Sequence, residues 1–110
     1  MDFQLSTEQK LIRDSAREFA QTELLPGVIE RDENKIFPKE QIAKMSKMGF
    51  LGMMTDPKYG GGGMDTVSYV LAMEEISKID ASCSVIMSVN NSLVCWGIEK
   101  YGSEAQKEKY

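Results

Sequence analysis

The sequence predicts an all-α domain, and three features of its 110 residues support that prediction. Apolar residues recur at helical spacing, alternating strand patterns are missing over any useful length, and Ser, Asp or Pro stand where helices would begin. Hydrophobic residues make up 42% of the chain, which suffices for a packed core and argues against disorder. We therefore expect one small helical domain covering 1–110.

The first helix is expected to begin after Ser6, because Ser6 and Gln9 together form the capping-box pattern. The dipeptide Pro26–Gly27 should kink or end this helix, and a continuation would reach about Arg31. The apolar face of the first helix is predicted to consist of Ile12, Ala16, Phe19 and Ala20.

A second helix is expected between Pro38 and Gly49. Pro38 suits the first helical position, where a missing N–H costs nothing, and Gly49 suits a left-handed stop. A long loop at 50–64 contains the glycine run Gly60–Gly63. We expect a tight turn there and not a phosphate-binding loop, because no strand precedes it and neither Lys-Ser nor Lys-Thr follows it. The apolar face of the second helix is predicted to be Ile42, Met45 and Met48.

A third helix should begin after Asp65, which is a favoured N-cap residue. Glu74 and Glu75 are expected on the outside of this helix or at its edge. Together with Glu99 they are interpreted as exposed helix charges or caps and not as catalytic groups. The inward-facing residues of the third helix are predicted to be Val67, Val70, Leu71 and Ile76.

The fourth helix, from a cap at Asp80 to a stop at Gly102, contains the most informative segment of the chain. No charged residue occurs from Ala81 to Ile98, and a run of this length can cross a membrane. Serine and asparagine side chains interrupt the run, and these are expensive in lipid. We therefore predict a helix surrounded by protein on most sides and not a membrane span.

Small and polar side chains on the fourth helix indicate a close approach by another element. Ser84, Ser88 and Ser92 are spaced as a stripe that would admit another helix or a ligand. Asn90 and Asn91 point about 100° apart on a helix. Two interpretations of these amides stay open: both tie helices together, or one of them forms the edge of a ligand pocket.

A fifth helix is predicted at the end of the chain, because Ser103 and Gln106 repeat the capping-box pattern. The sequence stops at Tyr110, about two turns later. We therefore expect the helical bundle to be truncated in this helix.

Composition excludes several classes of function. A net charge of −4, with basic residues scattered among acids, argues against a nucleic-acid-binding protein. The lack of histidine removes His-based catalysis and most His-containing metal sites, and no metal ligand is assigned. Cys83 and Cys95 lie too far apart on one helix for a disulfide, so two buried thiols in a reducing compartment are expected. The first residues, Met1 to Leu5, show no secretory signal.

Several short segments, spread over essentially the whole chain, form a pattern whose order and spacing are typical of one family. Together they resemble the N-terminal domain of the acyl-CoA dehydrogenases. The stretch Ser88–Leu93 is most similar to the short-chain, butyryl-type branch. The matching segments are Leu5–Gln9, Phe37–Pro38, Met48–Gly52, Tyr59–Asp65, Glu74–Ser77, Asp80–Ser82, Ser88–Leu93 and Tyr101–Lys107.

The resemblance implies a parent enzyme with a helical N-terminal domain, a β domain and a C-terminal four-helix bundle. Such enzymes desaturate an acyl-CoA between its α and β carbons: a glutamate removes the α-proton and FAD accepts the β-hydride. Electrons then pass to an electron-transferring flavoprotein, and the enzyme is usually a homotetramer. The glutamate and most FAD contacts belong to parts beyond Tyr110, so no catalytic or cofactor-binding residue is assigned here. The implied location is the cytoplasm of a bacterium or the mitochondrial matrix.

Two sites follow from the same resemblance. The fourth helix would form one wall of the acyl pocket, with Val89, Asn90, Leu93 and Ile86 as candidate substrate-binding residues. Met64 and Ala72 would lie near the docking site of the electron-transferring flavoprotein. The alternative is a free-standing, non-catalytic helical module that binds another protein.

Overall fold

The computed structural model describes residues 3–110, and those residues form helices and turns with no strand. The all-α prediction is confirmed; Met1 and Asp2, the start of the predicted domain, lie outside the described residues. The π-helical turn Ala20–Leu24 extends α1, and a second π-helical turn, Asn90–Cys95, joins α5 to α6. A 3₁₀ turn covers Pro57–Tyr59. The helices are α1 (Thr7–Phe19), α2 (Val28–Glu33), α3 (Lys39–Lys47), α4 (Thr66–Ile79), α5 (Ala81–Val89), α6 (Trp96–Tyr101) and α7 (Glu104–Lys109).

Side-chain caps stand at the predicted helix starts. Each cap accepts a hydrogen bond from a backbone N–H three residues later, which satisfies a donor that the helix leaves unpaired. Pro38 is the exception, because it precedes the helix and Lys39 is the first residue of α3, one position later than predicted. The observed caps are Ser6, Asp65, Asp80 and Ser103.

Left-handed glycines mark the helix boundaries that the sequence predicted. Gly27 has φ of 78°, so the chain breaks at Pro26–Gly27 and α2 is a separate helix that reaches Glu33. Gly49 has φ of 84° and follows α3 as the predicted stop. Both positions lie in the region that only glycine occupies readily.

The core lies where α1, α4 and α5 pack side by side and the loop after α3 folds beneath them. Phe19 and Phe50 meet edge to face, with ring centroids 5.9 Å apart. The domain measures 41 × 37 × 20 Å, and its short dimension equals about two helix diameters. A slab of this thickness leaves apolar faces open. The fully or nearly buried apolar residues are Ala16, Phe19, Ala20, Leu24, Met45, Phe50, Met53, Ala72, Ile76, Cys83 and Met87.

The buried face of α4 differs from the prediction. Val67 and Val70 were expected inside but are 49% and 54% exposed, whereas Leu71 is half-buried and Ile76 is fully buried. α1 packs on a neighbouring face of α4, where small side chains allow its close approach. That face consists of Ser68, Ala72, Glu75 and Ile76.

Glu75 was predicted outside the helix or at its edge, and this was wrong, because only 6% of the residue is exposed. Its carboxylate accepts two hydrogen bonds from Arg17 of α1, with Nη2–Oε1 at 3.1 Å and Nε–Oε2 at 3.2 Å. These hydrogen bonds lower the pKa of Glu75. A charge can therefore be buried at this position because a partner 58 residues away compensates it.

The described residues cover only one face of the long helix that runs from α5 to α6. Its 21 residues, Ala81–Tyr101, are long and apolar enough to cross a membrane on length and composition alone, a test that a core helix also passes. We call the exposed residues Val85, Val89, Leu93 and Trp96 the apolar strip; they are between 43% and 67% exposed. The expectation of protein on most sides is therefore not met within 3–110. Both cysteines are free, Cys83 buried and Cys95 half-buried.

Candidate functional site

A buried asparagine anchors the centre of the long helix to the loop after α3. Asn91 is 4% exposed, and its Oδ1 accepts a hydrogen bond from the Met53 N–H at 2.8 Å. Its Nδ2 donates to the carbonyls of Phe50 and Met87, at 2.8 and 2.9 Å. The amide thus joins two backbone groups of the loop to its own helix.

The neighbouring amide of Asn90 is directed to the same loop. Its Nδ2 donates to the Leu51 carbonyl at 2.5 Å and lies 3.6 Å from the Cys95 sulfur. Asn90 is half-buried, and none of the described donors bonds to its Oδ1. These contacts agree with the interpretation that both asparagines tie elements together. Of the two side-chain oxygens, only the Oδ1 of Asn90 remains available to a ligand.

The π-helical turn Asn90–Cys95 changes which side chains share a face. The Trp96 N–H reaches the Asn91 carbonyl, five residues back, instead of the four of an α-helix. The predicted serine stripe is not uniformly exposed: Ser84 is buried, Ser88 is half-buried and Ser92, within the turn, is exposed. π-turns of this kind are rare and often lie at functional sites.

An open groove lies beside the N-terminal half of α5, between that helix and α2 with its following connector. Its volume is about 940 Å³. Ile86 lines the groove, and Val85 connects it to the apolar strip. Charged side chains of α2 lie among the lining residues. The apolar lining is Val28, Ile29, Ile36, Phe37, Ile79, Val85 and Ile86.

The four predicted acyl-pocket residues are only partly brought together. Ile86 faces the groove, while Val89 and Leu93 lie on the apolar strip, 43% and 67% exposed. Asn90 turns its amide nitrogen toward Leu51. The arrangement offers an apolar wall about two turns long, with one polar group at its side.

A buried ion pair that the sequence did not predict, Arg31 with Asp80, also lines the groove. Arg31 Nη2 donates to Asp80 Oδ2 at 3.2 Å and to the Leu24 carbonyl at 2.7 Å, and Nη1 donates to the Pro26 carbonyl at 3.0 Å. The Asp80 side chain is 7% exposed and also accepts from the Cys83 N–H and thiol. A cap at Asp80 was visible in the sequence, but nothing local indicated its arginine partner.

The glycine loop forms the tight turn that the sequence predicted, with Gly60 and Gly63 at positive φ. Its N–H groups are used within the loop: Gly60 donates to Pro57, Gly61 to Asp56, and Gly62 to Gly52. Gly63 and Met64 donate in the same way to the carbonyls of Thr55 and Met53. No row of free N–H groups remains to bind an anion.

The glycine loop and the start of α4 offer no phosphate site for a flavin, and the described residues form no metal site. The N-terminus of α4, beside the glycine loop, is occupied by Asp65, whose carboxylate accepts from the Ser68 N–H at 2.7 Å. That hydrogen bond lowers the pKa of Asp65, so the position carries a negative charge that would repel a phosphate. Within 3–110, no three His, Cys, Asp or Glu side chains gather in a way that could hold a metal ion. The phosphates of FAD therefore find no binding groups at the glycine loop or at the start of α4.

The two predicted docking residues lie at different depths. Met64 is half-buried at the end of the glycine loop, and Ala72 is fully buried in α4 with no surface to offer a partner. The exposed apolar surface nearest in sequence is Val67 and Val70, on the outer face of the same helix.

Comparison with known proteins places this geometry in a family. The family described as acyl-CoA dehydrogenase, N-terminal domain, matches residues 6–110. The chain is 44% identical, over 110 residues, to the short-chain specific acyl-CoA dehydrogenase of Clostridium acetobutylicum; the match covers all of this chain and 29% of that protein.

Solved structures agree with the sequence match. A chain from the structure of the electron transferring flavoprotein of Acidaminococcus fermentans, described for flavin-based electron bifurcation, matches with a TM-score of 0.95 and 44% identity. Butyryl-CoA dehydrogenase from Megasphaera elsdenii matches with a TM-score of 0.90 and 40% identity. Both matches cover 100% of this chain, and 29% and 30% of the other chains, so it spans less than a third of these proteins. The chain thus belongs to the acyl-CoA dehydrogenase N-terminal domain family.

Proposed function

We propose that this chain is the N-terminal domain of an FAD-dependent acyl-CoA dehydrogenase that desaturates a short-chain acyl-CoA and supplies one wall of its acyl pocket. The observation that supports this role is the apolar strip, which continues from the groove along the helix that carries the candidate residues. The names of the relatives, short-chain specific and butyryl-CoA dehydrogenase, support the reaction and the chain length.

The chemistry of the strip fits a hydrocarbon ligand. Ile86, Val89 and Leu93 have purely hydrocarbon side chains, and the Oδ1 of Asn90, next to Val89 in the chain, accepts no hydrogen bond from the described residues. Each methylene that a ligand buries there contributes about 0.8 kcal/mol. A wall of this kind therefore distinguishes acyl groups by length and not by polar recognition.

The flavin and the catalytic base are proposed to come from regions outside these 110 residues, because the chain covers less than a third of its acyl-CoA dehydrogenase relatives and its glycine loop has no free N–H groups for phosphates. No step of the reaction is assigned to this chain. A tetrameric enzyme in the cytoplasm or the mitochondrial matrix remains part of the proposal.

Replacing Leu93 by alanine in the complete enzyme should shift its preference toward longer acyl chains. The substitution removes a branched side chain that is 67% exposed in this chain and is available to close the pocket. We expect the ratio of kcat/KM for hexanoyl-CoA over butyryl-CoA to rise by about tenfold. Steady-state kinetics over a series of acyl-CoA substrates measures this ratio.

Leu11→Ala is a matched control for this experiment, because Leu11 of α1 is 63% exposed and lies away from the strip. Its chain-length profile should equal that of the parent enzyme. A Leu93→Ala enzyme with an unchanged profile would remove the fourth-helix wall from the proposal.

We further propose that an electron-transferring flavoprotein docks against the surface formed by Met64, Val67 and Val70, with Ala72 supporting it from the core. Val67 and Val70 are about half exposed and share the outer face of α4. Their exposure, which the sequence did not predict, leaves an apolar surface for a partner beside Met64.

A Met64→Glu enzyme should keep normal flavin reduction by substrate but transfer electrons more slowly to its flavoprotein acceptor, by about tenfold or more. A carboxylate at the centre of an apolar contact would have to be desolvated on docking. Stopped-flow reduction and a coupled acceptor assay separate the two steps. Met48→Glu, at a methionine of α3 that is 44% exposed, is the control, and normal transfer in Met64→Glu would refute this docking surface.

The alternative of a non-catalytic protein-binding module uses the same strip as a contact for a partner. The intact mass of the polypeptide in its native source distinguishes the two proposals. A mass several times 12.3 kDa favours the enzyme, and a mass near 12.3 kDa favours the module.

A further inference from the structure

Three residues of the π-helical turn Asn90–Cys95 bond to the loop after α3. The Asn90 amide and the Cys95 thiol each donate to the Leu51 carbonyl, and Asn91 makes two bonds to the loop. Asn91 makes three hydrogen bonds in the interior, and two of them cross to the backbone of the loop at Phe50 and Met53. Its third bond, to the Met87 carbonyl, supplies a side-chain donor to the helix where the register changes. Removal of the amide would leave buried backbone groups unpaired.

The register change determines what the helix presents beyond Asn90. A π-turn closes its hydrogen bonds over five residues, so later residues are rotated around the axis relative to a continuous α-helix. Leu93 lies inside the turn and Trp96 directly after it, and both are exposed on the apolar strip. With α-helical register the two side chains would point in other directions.

We propose that Asn91 is a positioning residue: by clamping the π-turn to the loop Phe50–Met53, it sets the orientation of Leu93 in the acyl-pocket wall. The proposal rests on the proposed function for its consequence, the choice of acyl chain. Asn91 itself touches no substrate, because it is 4% exposed and its amide is occupied by backbone groups.

Asn91→Asp in the complete enzyme tests the clamp. The carboxylate has nearly the same shape and still accepts from the Met53 N–H, but it cannot donate to the Phe50 and Met87 carbonyls. We expect normal flavin content, a kcat/KM ratio for butyryl-CoA over octanoyl-CoA reduced by about tenfold, and faster hydrogen exchange of the loop at Met53. Asn91→Ser, which is neutral and smaller, replaces this variant if the aspartate enzyme does not fold.

Ser92→Ala is the matched control within the same turn. Ser92 is exposed, and its hydroxyl donates only to the Ser88 carbonyl, so this change removes a side-chain hydrogen bond of the turn without touching the loop. The ratio of kcat/KM for butyryl-CoA over octanoyl-CoA in Ser92→Ala should equal that of the parent enzyme. An equal change in both variants would mean that the loss of any side-chain hydrogen bond in the turn, and not the clamp to the loop, alters the chain-length profile, and the proposal would be overturned.

Leu93→Ala in the same assay separates this inference from the proposed function. If Leu93→Ala changes the profile and the Asn91 variant does not, the clamp is refuted while the pocket wall stands. If neither variant changes the profile, the wall and the inference that depends on it both fail. Faster exchange at Met53 without a change in profile would reduce Asn91 to a structural role and overturn the inference.

Discussion

Replacing Arg31 by methionine should destabilise the 110-residue chain by about 3–5 kcal/mol at neutral pH, because Asp80 would keep a buried charge without its cationic partner. The Arg31 and Asp80 side chains are 12% and 7% exposed. Arg31 also donates to the carbonyls of Leu24 and Pro26, so the substitution leaves further acceptors without a donor. Urea unfolding of the parent chain and the variant measures the difference.

The pKa of Asp80 gives this prediction a pH dependence. Burial alone would raise this pKa, but hydrogen bonds from the Cys83 N–H and from Arg31 outweigh burial and lower it. A lowered folded-state pKa means that the stabilisation is present above the unfolded value, about 3.9, and is lost as the pH falls through the folded value. Without Arg31 the pKa of Asp80 should rise, since burial then opposes fewer favourable contacts. The cost of the substitution should therefore shrink as the pH falls toward about 4.

Two further variants separate charge from packing. Asp80→Asn added to Arg31→Met removes the uncompensated charge and keeps a good N-cap, so the double variant should be more stable than the single one. Arg13→Met breaks an exposed pair with Asp14 and should cost less than about 1 kcal/mol. A loss as small as this in Arg31→Met would show that the buried pair contributes little.

Gly61→Ala should cost about 2 kcal/mol or more, because the new methyl group would overlap the backbone of Thr55. A Cβ built on Gly61 overlaps the Thr55 carbonyl and lies 2.5 Å from Thr55 Cβ. Backbone atoms cannot rotate away as a side chain would, so the loop must move. That movement would disturb the hydrogen bonds from Gly62 to Gly52 and from Gly63 to Thr55.

The control for this substitution is Gly97→Ala. Gly97 lies within α6, and apart from its chain neighbours and the backbone of its own helix nothing stands within 4 Å of a Cβ built there. Alanine at that position should be neutral or should stabilise the chain by up to about 1 kcal/mol, through its better helix propensity. Chemical unfolding of Gly61→Ala and Gly97→Ala under one condition compares their free energies of unfolding. Similar values would mean that the glycine loop is not tightly packed against Thr55.

The sequence alone predicted the helix ends and turns that depend on contacts within a few residues of the chain. The correctly predicted features have their hydrogen-bond partners close in sequence. They are the capping boxes at Ser6 and Ser103, the left-handed Gly49 and the closed glycine loop. Helix existence and helix ends follow from such local bonds. The family resemblance indicated the class of reaction and the helix that carries the candidate pocket residues.

The tertiary structure decided which face each helix buries and where its register changes. Val67 is more apolar than Glu75, yet Glu75 is buried, because Arg17 pairs with it from another helix. The π-turn had no sequence signal, since Asn91 stabilises it through a loop about 40 residues earlier. The physical reason is the same in both cases: a buried charge or amide is tolerable only when a distant partner satisfies it, and only the folded chain brings that partner within hydrogen-bond distance.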